Sequence, residues 1–152
     1  MTTEEIFALA TVGDCRTIQL ESHQNQRNGN LTLMQNTPEA PFKIRRIYYL
    51  YDIPAGESRG GHAHRELHEM LVATSGSFSV TLTDALGNKK NVMLNRPNTG
   101  LHIVPGIWRT LQDFSSGAVC LVLASMPYDE NEYVRSYDEF VKLKNKKPHG
   151  NV

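Results

Sequence analysis

Three imidazoles and two carboxylates fall within one short stretch of this chain, Gly61-His62-Ala63-His64-Arg65-Glu66-Leu67-His68-Glu69. Histidine is the side chain whose ordinary pKa lies nearest neutrality, and neutral imidazole is also a common metal ligand. The cluster therefore serves either acid/base chemistry or a metal ion. Spacing narrows where the groups point. On an extended strand, residues two apart share a face, so His62 and His64 project together while Ala63 points away. His68 joins them only if the backbone stays extended that far. The apolar, partly β-branched run Met70-Leu71-Val72-Ala73-Thr74 follows and stops at Ser75-Gly76. It reads as a strand bounded by turn residues.

The elements that must hold this cluster are β almost throughout. Strands are expected over 17–21, 31–33, 43–51, 69–74, 77–83, 90–94, 100–104, 110–114 and 119–124. Their spacing of roughly 8–12 residues, with turn signals between, predicts a sandwich or barrel. Phe78, Val80 and Leu82 alternate with Ser79 and Thr81, the pattern of a half-buried strand. Asp84 to Asn88 supplies a hairpin loop with Gly87 available for positive φ. Helical spacing occurs only near the end, where Tyr133, Tyr137, Phe140 and Val141 would form one stripe. The basic tail over 144–152, with Pro148 and Gly150, is expected to fray. The prediction is one all-β domain of jelly-roll type over 1–152, its core over about 14–140, with a short C-terminal helix.

Composition excludes several classes. The 152 residues suffice for a real core, and 39% are apolar, too many for a disordered chain. Sixteen basic residues balance sixteen acidic ones, so no general electrostatic partner such as nucleic acid or a membrane is expected. Cys15 and Cys120 are far apart, without ligand-type spacing, and read as reduced thiols. The N-terminus lacks the basic and long apolar regions of a signal peptide. A cytoplasmic protein is expected.

The residues also carry a resemblance. Gly61-His62-x-His64-x4-Glu69-x6-Gly76 resembles the first cupin motif, and Pro105-Gly106-Ile107-Trp108-Arg109 sits where the second belongs. Metal-binding cupins place a histidine at the position of Arg109. A guanidinium offers no lone pair, so metal catalysis ranks last and no metal or cofactor is expected. Further blocks, Arg45-Arg46-Ile47-Tyr48-Tyr49, Arg59-Gly60-Gly61, Asp113-Phe114-Ser115 and Tyr133-Val134-Arg135, resemble the nucleoside-diphosphate-sugar 3,4-ketoisomerases. The match runs from about Asp14 to about Phe140. It implies a cupin-type jelly-roll barrel and a homodimer, with N-terminal strands exchanged. The implied activity moves the keto group of thymidine-diphosphate-4-keto-6-deoxyglucose from C4 to C3. That product feeds 3-amino-3,6-dideoxyhexoses of surface polysaccharide.

The chemistry suits these residues. The C3 proton of a 4-keto sugar is acidic, and its removal gives an enediol that is reprotonated at C4. A histidine pair with pKa near working pH serves such transfers, so His62 and His64 are the catalytic candidates, their individual roles open. Guanidinium groups match diphosphate oxygens bidentately. Arg16 resembles the diphosphate-binding arginine of the wider group, while Arg46 and Arg59 flank the histidine face. Tyr48 shares the face of Arg46 and is the expected enolate partner, and Arg109 is expected to face the interior and stabilise the enolate oxygen. Two other readings stand beside this one. They are a 3,5-epimerase acting on the same sugar nucleotide and a non-catalytic sugar-binding cupin.

Overall fold

The computed structural model describes residues 1–145. Two five-stranded antiparallel sheets face each other. The first has the order β1 (Arg16–Gln19), β9 (Thr99–Ile103), β6 (Glu69–Ser75), β11 (Val119–Ala124), β4 (Arg46–Leu50). The second runs β12 (Tyr133–Val134), β5 (Arg59–His64), β10 (Trp108–Gln112), β7 (Phe78–Thr83), β8 (Lys89–Leu94). A two-stranded hairpin, β2 (Glu21–His23) with β3 (Leu31–Leu33), stands outside both. Neighbours distant in sequence dominate each sheet, as in a jelly roll. The expected cupin-type architecture is present, as a sandwich of two sheets and not as a closed barrel.

Period-2 patterning explains the core. Phe78, Val80 and Leu82 of β7 turn inward and meet Leu71, Leu101, Leu111, Cys120 and Val122 from the neighbouring strands and the facing sheet. Each fully buried aliphatic or aromatic side chain of this kind contributes about 1.5–3 kcal/mol. The nine expected strands all occur, with ends shifted by a few residues. Three more, β2, β5 and β12, are additional, and the last two belong to the histidine face.

Both ends differ from expectation. An N-terminal helix, α1 (Thr3–Leu9), begins where Thr2 accepts the Glu5 backbone N–H at 3.1 Å, with Glu4 and Glu5 at its positive end. Its Phe7 is buried against Phe140 of α2 (Tyr137–Asn145), ring centroids 5.6 Å apart. The expected C-terminal helix is therefore α2, but Tyr133 is not part of it; Tyr133 pairs with His64 in β12. The extended backbone sends alternate residues apart, so Val134 enters the core while Tyr133 turns to the histidines. The helix continues through Asn145, and the rest of the expected frayed tail, with His149, lies outside the described residues. Among the described residues no helix is long and apolar enough to cross a membrane.

One irregularity positions the site. On β10, Arg109 pairs with His62 and Leu111 with Arg59, so three residue steps on β5 match two on β10. The extra residue is a bulge at Gly60 and Gly61. Gly60 has φ +72°, and a Cβ there would lie 3.0 Å from Leu111 Cδ1, so the position requires glycine. The bulge changes the face count by one. Arg59 thereby joins His62 and His64 on one side, which plain alternation would forbid.

Candidate active site

The histidine face opens on a cavity of about 430 Å³ between the two sheets. β5 supplies Arg59 and His62, β4 supplies Arg46 and Tyr48, and β10 supplies Arg109. His62 and His64 project together as expected, Nε2 to Nε2 3.1 Å, rings edge-on at 77°. Ala63 points the other way into a cluster with Phe7, Trp108 and Phe140. His62 lines the cavity, and His64 stands beside it, 3% exposed.

Behind the pair lies Glu69, the first residue of β6, itself 1% exposed. It accepts the Tyr48 hydroxyl at 2.8 Å and forms an ion pair with Arg109. His64 Nε2 is 3.4 Å from its Oε1. Burial alone would raise the Glu69 pKa, but the Arg109 charge and the His64 hydrogen bond outweigh it and hold the group ionised. Burial would likewise lower Arg109, and Glu69 overrides that. Burial pushes the Tyr48 phenol well above its usual value, with help from the Glu69 charge. The His62 imidazole is pushed down to about 2, chiefly by burial and then by the Arg109 and His64 charges. The pocket thus presents a neutral imidazole and a protonated phenol from opposite sheets.

His62, His64 and Glu69 are also the donor set that could be considered for a metal, with ligand atoms within 4.8 Å of one another. The set does not suit a cation. One carboxylate oxygen is already committed to a permanently charged guanidinium, and that guanidinium would sit against the ion.

The other expected residues divide. Arg46 reaches the cavity and donates from Nη2 to the Tyr133 hydroxyl at 3.0 Å, while its buried Nε and Nη1 have no partner in the protein. Arg59 lines the same cavity. Arg109 faces inward as expected, though its first partner is Glu69. Tyr48 faces the site, and Tyr49 points out, 60% exposed. Arg16 is not brought here. It lies exposed on β1, opposite His102, beside a separate depression formed with α1. His68 also leaves the histidine face. A turn after His64 directs it to the outer side of the first sheet, where Nδ1 lies 3.0 Å from His102 Nε2 under Phe42.

Three residues at the mouth were not singled out for the site from sequence. The Tyr133 ring lies 5.0 Å from the His62 ring and 4.6 Å from that of His64. The Arg135 guanidinium covers its outer side at 4.1 Å and is held by Glu130 through two contacts of 2.6 and 3.0 Å. Tyr128 completes the rim. The i, i+2 spacing of Tyr133 and Arg135 is a strand signal that the neighbouring helical stripe obscures.

Comparison with known proteins agrees with this geometry. Residues 13–145 match the family model described as FdtA: WxcM-like, C-terminal. A TDP-4-oxo-6-deoxy-alpha-D-glucose-3,4-oxoisomerase of Aneurinibacillus thermoaerophilus is 43% identical over 115 residues, 75% of this chain and 81% of the relative. The crystal structure of a 3,4-ketoisomerase from Helicobacter canadensis superposes with TM-score 0.81 at 44% identity, covering 88% of this chain and 98% of that one. A mutant of the 3,4-ketoisomerase QdtA from Thermoanaerobacterium thermosaccharolyticum, crystallised with TDP-4-keto-6-deoxyglucose, gives TM-score 0.82 at 34% identity over 87% and 94% of the two chains. With a neutral imidazole, a protonated phenol and a ring of arginines in one cavity, and with these relatives, the chain belongs to the FdtA-like family of sugar-nucleotide 3,4-ketoisomerases.

Proposed function

We propose that this chain moves the carbonyl of thymidine-diphosphate-4-keto-6-deoxyglucose from C4 to C3, through an enediol, by acid/base catalysis without a metal. The substrate is that of the relatives. The observation that carries the chemistry is the buried His62 imidazole, neutral and facing the cavity, with the Tyr48 phenol on the opposite sheet. His62 takes the C3 proton, and His64 supports the transfer from behind. The free Arg46 donors hydrogen-bond the enediolate oxygens, and Tyr48 joins them only by turning its single hydroxyl hydrogen away from Glu69. Arg46, Arg59 and Arg109 set a positive potential that favours both the enediolate and a diphosphate.

The same reading takes residues 1–152 as one cupin domain of a cytoplasmic homodimer serving deoxysugar biosynthesis. The outer face of the first sheet supports association, since Ile47 and Tyr49 stand open beside an apolar groove lined by Val72, Leu121 and Leu123. Exchange of N-terminal strands between copies would give Arg16 a route to the partner's diphosphate.

Proton NMR in D₂O, with EDTA-treated protein and the 4-keto sugar nucleotide, tests the activity. The expected product is a 3-keto sugar carrying deuterium at C4. Exchange at C3 and C5 without carbonyl migration would replace the proposal with an epimerase, and no exchange at all with a binding protein. Asparagine at His62 should abolish turnover.

A further inference from the structure

Glu69 stands at the centre of the polar groups behind His62, and the reading above gives it no task. Its Oε2 accepts from Tyr48, and its Oε1 faces both Arg109 and His64 Nε2. His64 Nε2 is therefore flanked by two acceptors, this carboxylate at 3.4 Å and His62 Nε2 at 3.1 Å. The other nitrogen of His64, Nδ1, is buried and has no partner. A hydrogen on Nδ1 would be a buried, unsatisfied donor, and the lone pair at Nε2 would then face a carboxylate oxygen. A hydrogen on Nε2 removes both costs.

We infer that Glu69 is a positioning residue: it draws the Nε2 hydrogen of His64 to itself and so leaves the Nε2 lone pair of His62 free to take a proton from the substrate. Without the carboxylate, that hydrogen has only His62 to bond, and the lone pair that must act as base is capped. Arg109 completes the device by keeping Glu69 an acceptor on both oxygens. The role rests on His62 being the base, as proposed above.

The decisive measurement is ¹⁵N-edited NMR of the histidine rings in the unmodified protein, which needs no substrate. His64 should carry its hydrogen on Nε2, and His62 should leave Nε2 unprotonated. A hydrogen on His64 Nδ1 would overturn the inference. In Glu69→Gln, kcat should fall by about 100-fold or more while KM and TDP affinity stay within about threefold. A folded Glu69→Gln protein with near-normal kcat would also overturn it. Should Glu69→Gln fail to fold, the ring tautomers of the unmodified protein still decide. Failure of the isomerase reading looks different, because the unmodified protein would then move no carbonyl whatever its tautomers.

Discussion

Arg109 stands directly opposite His62 across the ladder between β10 and β5, so a permanent cation neighbours the imidazole that lines the cavity. That imidazole is a weak base, pushed down to about 2 chiefly by burial and then by the Arg109 charge. A diphosphate arriving among Arg46, Arg59 and Arg135 adds negative charge and raises its proton affinity.

Base strength is then coupled to the remote part of the substrate. The same keto sugar carried as a neutral methyl glycoside, with no phosphate, should lose kcat by about tenfold or more, since one pKa unit corresponds to that factor, besides binding more weakly. Steady-state kinetics on both substrates checks this. An unchanged kcat with only KM raised would show that the phosphates serve binding alone.

Arg109 and Glu69 are both fully enclosed. Arg109→Met leaves an unpaired buried carboxylate and should cost about 3–5 kcal/mol of stability. Urea unfolding at pH 7 measures it. The double replacement Glu69→Gln with Arg109→Met should recover most of that loss, because no orphan charge remains.

The His68–His102 pair contributes to acid stability beside His62, whose own lowered pKa acts in the same direction. Burial lowers both pKa values, that of His102 to about 4 with the His68 charge as second cause. The folded state binds these protons less readily than the unfolded chain does, so stability is full above pH 6.5 and falls as pH drops from 6.5 toward about 4. Replacing His102 by asparagine should make this limb of a urea-midpoint against pH curve shallower, leaving the part due to His62. An unaltered curve would assign the limb to other groups.

Tyr133 holds both imidazoles with its ring and Arg46 with its hydroxyl. Tyr133→Phe keeps the ring and loses one hydrogen bond worth about 1 kcal/mol, so KM should rise a few-fold with kcat nearly intact. Tyr133→Ala also frees the imidazole rings, and kcat should fall by about tenfold or more. Equal effects of the two replacements would mean that the ring positions nothing.

Strands were legible in two ways: β7 by period 2, with Phe78, Val80 and Leu82 turned inward, and β6 and β11 as continuous apolar runs buried on both faces. The partnership of His62 and His64 was readable from their i, i+2 spacing, which puts both on one face of an extended strand. Tyr133 was not, because Tyr137 and Phe140 extend an apparent helical stripe through it although the chain is extended there. The α1 helix was hidden in a short polar start whose Thr2 cap and Glu5 are legible only when sought. The removal of His68 from the site depends on a turn that no spacing rule announces. Arg16 is the reverse case, singled out by resemblance and far from the cavity within one chain.

Gly60 is the remaining point of control. An alanine there meets Leu111 and an unfavourable positive φ, at a cost of about 1–2 kcal/mol. Activity should fall further than stability, because relief of the strain displaces Arg59 and His62. Thermal unfolding and kcat on the same variant separate the two.

The bulge at Gly60 and Gly61 also makes the site sensitive to parity. Arg59 and His62 are three positions apart, an odd interval, yet look into the same cavity only because β5 carries one uncounted residue. Deleting either glycine makes the interval even and the strand regular, leaving every side chain of the site in the chain. Regularity would preserve both the shared face and the reach between guanidinium and imidazole, since the three bulged steps already span only two on β10, and would remove the local kink that the bulge puts into β5. The common outlook of anion grip and base is thus written in a count of residues: one residue more or less, with the bulge kept, sends Arg59 to the other face without exchanging any reactive group.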